Sequence, residues 1–170
     1  MDFKKLANQY RDELLDNVLP FWLEHSQDLE FGGYFSCLDR EGKVFDTDKF
    51  IWLQGREVWM FSMLYNKVEK RQEWLDCAVL GGEFLKKYGH NGDYNWYFSL
   101  NRSGRPLVEP YNIFSYTFAT MAFGQLSLAT GSQEYADIAK KTFEIILSKV
   151  DNPKGKWNKL HPGTRNLKNF

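Results

Sequence analysis

The stretch Tyr34-Phe35-Ser36-Cys37-Leu38-Asp39-Arg40-Glu41-Gly42 returns, one residue shorter, as Tyr97-Phe98-Ser99-Leu100-Asn101-Arg102-Ser103-Gly104. Each copy is a β-prone run that meets a polar turn ending in glycine, which reads as a hairpin. The two turn glycines lie 62 residues apart. A repeat of that size marks a helical array, in which each unit buries its apolar face against its neighbour.

The segments after each hairpin agree in kind. Trp52 to Val68 carries Trp52, Val58, Trp59, Phe61, Met63 and Leu64, too dense for a surface helix with a narrow stripe, so a mostly buried helix is expected. Gln72 to Tyr88 then places Trp74, Cys77, Ala78, Gly81, Phe84 and Leu85 on one face, with Lys86 and Lys87 suited to the C-terminal dipole and Gly89 able to close the helix. In the second unit Ile113 to Thr130 is apolar nearly all round, and Ser132 offers an N-cap to an amphipathic helix reaching Val150. Ahead of both, Phe3 to Glu24 gathers Leu6, Tyr10, Leu14, Val18 and Phe21 on one helical face, and Pro20 predicts a kink or an early end near Val18. The expected fold is all-α: an incomplete (α/α) toroid of antiparallel helix pairs with short β-hairpins between pairs. Apolar helices line the inside, amphipathic ones the outside, and the hairpin end forms a binding mouth. Residues 1–170 read as a single domain, and two units with a leading helix leave the ring unfinished.

Composition narrows the function. The 22 basic and 22 acidic side chains cancel, so no bulk field would hold nucleic acid or an anionic membrane. No apolar run reaches the roughly 18 residues of a membrane span. Asp2, Lys4 and Lys5 follow Met1 without an apolar stretch, which predicts no secretory leader and a cytoplasmic protein. Cys37 and Cys77 are too few and too isolated for a disulfide framework or a zinc site, and read as packing residues. Aromatic side chains make up 17% of the chain. Most fill a core, yet Trp and Tyr also offer flat faces with a polar tip that suit a sugar.

Five runs carry a more specific message: Phe21-Trp22-Leu23-Glu24-His25-Ser26, Gly32-Gly33-Tyr34-Phe35, Trp52-Leu53-Gln54-Gly55-Arg56-Glu57-Val58-Trp59-Met60, Gly81-Gly82-Glu83-Phe84-Leu85 and Ile113-Phe114-Ser115. Their order and spacing resemble the N-terminal portion of the N-acylglucosamine 2-epimerase (renin-binding protein) family, and Trp-Leu-Gln-Gly-Arg is the most specific of them. The resemblance implies an (α/α)6 barrel whose mouth holds an N-acetylated hexosamine and interconverts N-acetylglucosamine and N-acetylmannosamine. Family relatives act on other sugars, including cellobiose and mannose, and are more than twice this length.

Epimerisation at C2 removes the proton beside the carbonyl of the open-chain sugar and returns one to the opposite face. It needs two acid/base groups and a partner for the enolate oxygen. Histidine suits the proton transfer. The resemblance places both such histidines in later helices, so no catalytic residue is expected within this chain. His25 at a helix end, His90 in a Gly- and Asn-rich loop and His161 before a Pro-Gly turn are poor substitutes. Arg56 is costly on so apolar a helix unless it faces a polar cavity or an ion partner. By resemblance it matches the arginine that contacts the sugar oxygens; a structural salt bridge is the alternative. Trp52, four residues earlier on the same face, is expected to stack on the sugar or to fill the core. Ser115 begins the next apolar helix at the same mouth. Tyr111 and Tyr116 are weaker candidates, for which packing is the better reading.

No metal or cofactor is expected, and the only effector the resemblance raises is an activating nucleotide. Asn152 to Gly163 lacks the Gly-x-x-x-x-Gly-Lys-Ser/Thr order of a phosphate loop and reads better as a connector. The expected partner is a hexose or N-acetylhexosamine, with a second copy or a further C-terminal part covering the open seam. The rival reading is a non-catalytic carbohydrate-binding or protein-interaction fragment that pairs through that seam.

Overall fold

The chain enters its first helix at Asp2, whose carboxylate accepts hydrogen bonds from the backbone N–H groups of Lys4 and Lys5 and so satisfies two orphan donors of the helix start. In the computed structural model, which describes residues 1–110 and 113–150, α1 (Phe3–Glu13) runs through a π turn (Leu14–Val18) into α2 (Leu19–His25). Of the two outcomes expected at Pro20, the early end is not found: the helical run continues to His25. The wide turn comes just ahead of Pro20, with the Leu19 N–H reaching back to the Leu14 carbonyl. Loosening that turn makes room for the pyrrolidine ring and absorbs its missing donor.

Two hairpins and four long helices follow. β1 (Cys37–Leu38) pairs antiparallel with β2 (Val44–Asp46), and β3 (Lys49–Phe50), β4 (Ser99–Leu100) and β5 (Pro106–Val108) form a three-stranded antiparallel sheet in that order. The pairing of β3 with β4 was not anticipated; it ties the second hairpin to the chain just ahead of α3 (Ile51–Lys67). α4 (Gln72–Tyr88) has the expected bounds, while α5 (Phe114–Thr130) and α6 (Gln133–Ser148) each fall within two residues of theirs.

The inner helices α3 and α5 pack on each other, with α4 against α3 and α6 against α5. The core lies between them, around Val58, Phe61, Trp74, Leu85, Phe123 and Leu126. Glycines set how closely the layers approach. Gly81 leaves room for the Tyr34 ring and Gly82 for Leu126. Gly89 closes α4 through lack of bulk, since its φ is −69° and a Cβ there would lie 2.7 Å from the Trp96 ring. The left-handed cap belongs instead to Gly131 at the end of α5, with φ of 73°.

The repeat has a structural counterpart beyond its hairpins. Gly42 and Gly104, with φ of 82° and 93°, seat their turns on the rings of His25 and Tyr88, the last residues of α2 and α4. Each hairpin thus rests on an aromatic ring at the end of the preceding outer helix, and a side chain at either glycine would strike that ring.

The leading helix departs from the simple picture. Leu6, Tyr10, Leu14 and Val18 share a face as expected, but all are exposed, and only Leu19 in α1 to α2 is fully buried. Among the described residues nothing covers that stripe.

Candidate functional site

α3 and α5 begin at the same end of the molecule, beside the three-stranded sheet, where the Ile51 N–H donates to the Phe98 carbonyl at 3.0 Å. Trp52 lies in the first turn of α3. Its half-buried ring stands 5.8 Å from that of Phe118 in α5, tilted by 50°. Arg56 follows one turn later and is exposed, with no ion pair to any described carboxylate. The salt-bridge alternative therefore finds no partner there.

The other candidates are placed differently. Ser115 lies in the first turn of α5, at the expected end, but is buried. Tyr116 is fully buried in the core, its hydroxyl 3.3 Å from Asn95 Oδ1 and its ring 4.5 Å beneath the Lys149 ammonium. That is the packing arrangement, and a substrate at the surface does not reach it. Tyr111, the 152–163 stretch and His161 lie outside the described residues. His25 packs on Phe21 and Gly42. His90 lies between the rings of Tyr94 and Trp96, at 4.7 and 4.9 Å, and accepts the Gly92 N–H at Nδ1. Burial lowers its pKa and favours the neutral imidazole. Both rings serve packing.

A buried ion cluster not anticipated from sequence fixes the rim beside Trp52. Lys49, the first residue of β3, is fully buried and donates to Asp28 Oδ2, the Gly32 carbonyl and the Arg102 carbonyl at 2.9, 2.6 and 2.9 Å. Three acceptors match the three donors of an ammonium, and the Phe84 ring centroid lies 4.4 Å from Nζ. Arg102 closes the other side of Asp28 with bonds of 2.9 and 3.0 Å. Burial alone would raise the Asp28 pKa, but the Arg102 and Lys49 bonds outweigh it and hold the carboxyl below its usual range. The cluster joins the loop after α2, the strand before α3 and the second hairpin. The one available signal was Arg102 itself, which repeats Arg40 of the first hairpin; Arg40 is exposed.

This order of hairpins, inner helices and outer helices, with the Trp-Leu-Gln-Gly-Arg run at the head of an inner helix, has a counterpart among known proteins. Residues 33–169 match the family described as N-acylglucosamine 2-epimerase (GlcNAc 2-epimerase). The chain belongs to that family. It is 43% identical to the N-acylglucosamine 2-epimerase of Bos taurus over 154 residues, covering 88% of this chain and 36% of the relative. In three dimensions it is similar to a sugar epimerase from a ruminal bacterium (TM-score 0.78, 27% identity, 85% of this chain and 37% of the other). It is likewise similar to cellobiose 2-epimerase from Bacillus thermoamylovorans (TM-score 0.77, 28% identity, the same coverage of 85% and 37%). The chain thus spans little more than a third of the length of these relatives. The described helices form part of an (α/α)6 toroid; the repeat predicts the toroid, and the resemblance its six pairs.

Proposed function

We propose that this chain is the substrate-binding wall of a sugar 2-epimerase that interconverts N-acetylglucosamine and N-acetylmannosamine without cofactor or metal. In that reaction a base takes the C2 proton of the open-chain sugar. The C–H electron pair moves toward the carbonyl, and an enolate forms. Return of a proton to the opposite face restores the carbonyl with C2 inverted. Arg56 places a permanent positive charge where the enolate oxygen develops, and Trp52 offers its ring to the C–H face of the sugar. The proton-transfer pair belongs to a part of the longer relatives that this chain does not span. The fold carries no membrane-crossing helix among its described residues, in keeping with a cytoplasmic enzyme.

The observation that carries the reading is Arg56: an exposed guanidinium on a largely apolar inner helix, one turn from Trp52 and without a described ion partner. The test is to incubate the 170-residue protein with N-acetylmannosamine in deuterated water and follow the sugar by NMR. Saturable binding without loss of the C2 proton signal is expected. Exchange at C2 would overturn the assignment of the proton-transfer pair to another part of the protein, and absence of binding would overturn the wall.

A second reading rests on the exposed apolar stripes of α1 (Leu6, Tyr10, Leu14) and of α6 (Phe143, Leu147). Such faces suit a fragment that binds sugar or protein without catalysis and pairs through its open seam with a second copy or a further part of the protein. Light scattering of the chain alone and with the sugar separates the two, since the wall reading requires binding by the single copy.

A further inference from the structure

Glu57 follows Arg56 on α3 and is half-buried. Glu57 Oε1 lies 2.5 Å from Ser26 Oγ, and the same Oγ lies 2.6 Å from the Trp22 carbonyl oxygen in the last turn of α2. Each of these oxygen–oxygen contacts requires a hydrogen between its atoms. The carbonyl brings none, and it already accepts the Ser26 N–H at 3.0 Å. Ser26 brings one. With that hydrogen on the Trp22 carbonyl, the hydrogen of the second contact must come from Glu57.

We propose that Glu57 is a neutral carboxylic acid in the folded protein, donating its proton to Ser26, and that this proton latches the end of α2 to the helix bearing Trp52 and Arg56. An ionised Glu57 would have to take the Ser26 hydrogen, leaving two oxygens in repulsive contact at the end of α2.

The surroundings agree. From the loop after α2, Tyr34 faces this region with its hydroxyl donating to the Cys77 carbonyl at 2.7 Å, and from α4 comes the Cys77 thiol. Burial raises the pKa of both, so each is uncharged at neutral pH. From α2 comes Ser26, while His25 next to it turns to Phe21 and Gly42, and Arg56 on the same helix is exposed. No described cation meets the Glu57 carboxyl. Burial pushes the Glu57 carboxyl up to about 8.

The sign of the linkage follows. The folded protein keeps a proton that the unfolded chain releases above its ordinary value of 4.5. Stability is therefore greatest below that value, falls as pH rises toward about 8, and takes no further loss from Glu57 above it. This latch is a property of the fold and stands whichever sugar the wall binds.

The test is a pH titration of the 170-residue protein with its glutamate Cδ carbons labelled, beside urea unfolding of the wild type and Glu57→Gln. One Cδ resonance titrating well above the carboxylate range, and missing from the variant, is expected. The unfolding constant of the wild type should rise by up to roughly tenfold per pH unit relative to the variant across that window. The amide of the variant can still donate to Ser26. The NMR titration of the wild type decides the matter even if the variant fails to fold: all glutamates titrating in the ordinary range would overturn the proposal. So would an equal pH slope in both proteins.

Discussion

Gly55 of α3 lies against the backbone of Phe118 in α5, so that a Cβ at position 55 would stand 3.0 Å from both the carbonyl carbon and oxygen of Phe118. Backbone cannot swing aside as a long side chain can, so the two inner helices would have to separate. Gly55→Ala gains helix propensity of roughly 1 kcal/mol, while overpacking costs about 1–3 kcal/mol. A net loss is expected, larger for Gly55→Val. Urea midpoints for the two variants check it; an unchanged or higher midpoint for the valine variant would show that the crossing has slack.

The Asp28 cluster predicts a larger effect. Asp28→Asn leaves Lys49 and Arg102 without their shared carboxylate, and an uncompensated buried charge costs about 3–5 kcal/mol. Because the folded Asp28 pKa is depressed, its stabilisation is present above the ordinary value of 3.8 and is lost as pH falls below it. Thermal melts of wild type and variant should converge as the solution is acidified. A constant gap down to strongly acid pH would show that the carboxylate charge is not what matters.

Trp96 is fully buried, and its indole N–H donates to Thr142 Oγ1 of α6 at 3.1 Å. Thr142→Val keeps the shape and removes the acceptor, leaving a buried donor unmet at about 1–3 kcal/mol. Thr142→Ser should recover most of that. Chemical denaturation of the pair measures the difference, and equal midpoints would mean that the indole finds another acceptor.

Arg56→Ala should leave the melting temperature close to that of the wild type, because an exposed side chain without a described ion partner contributes little to the fold. It should weaken N-acetylmannosamine binding by tenfold or more if the guanidinium meets the sugar oxygens. Arg56→Lys restores the charge but not the planar fork, and should recover only part. Titration calorimetry of the three proteins decides it; undiminished affinity for the alanine variant would remove Arg56 from the wall.

The helices were legible because local sequence dictates them. The bounds of α4 follow from one buried face between Trp74 and Leu85, and Ser132 marks the start of α6 through its own bond to the Tyr135 N–H. The hairpins were legible because their turn glycines repeat. The ion cluster was not, since Asp28, Lys49 and Arg102 come from three segments and no local pattern pairs them. Glu57 escaped for a similar reason: it reads as one more charge on a helix until Ser26, 31 positions away, is brought against it. Trp52 and Arg56 were legible as a pair from helical spacing, and for Tyr116, which is fully buried, packing was already the better reading.

The uncovered stripe on the first helix bears on how the chain opens and closes in solution. α1 has 11 residues and no buried side chain, so the front of the helical run lacks the tertiary packing from which most helical stability in proteins comes. Its backbone amides should therefore trade hydrogen for deuterium almost as fast as those of an unstructured peptide. The amides facing the α3–α5 crossing should wait for global unfolding. An exchange map of the intact chain would then show protection rising along the first helix and setting in around Leu19, its one fully buried residue.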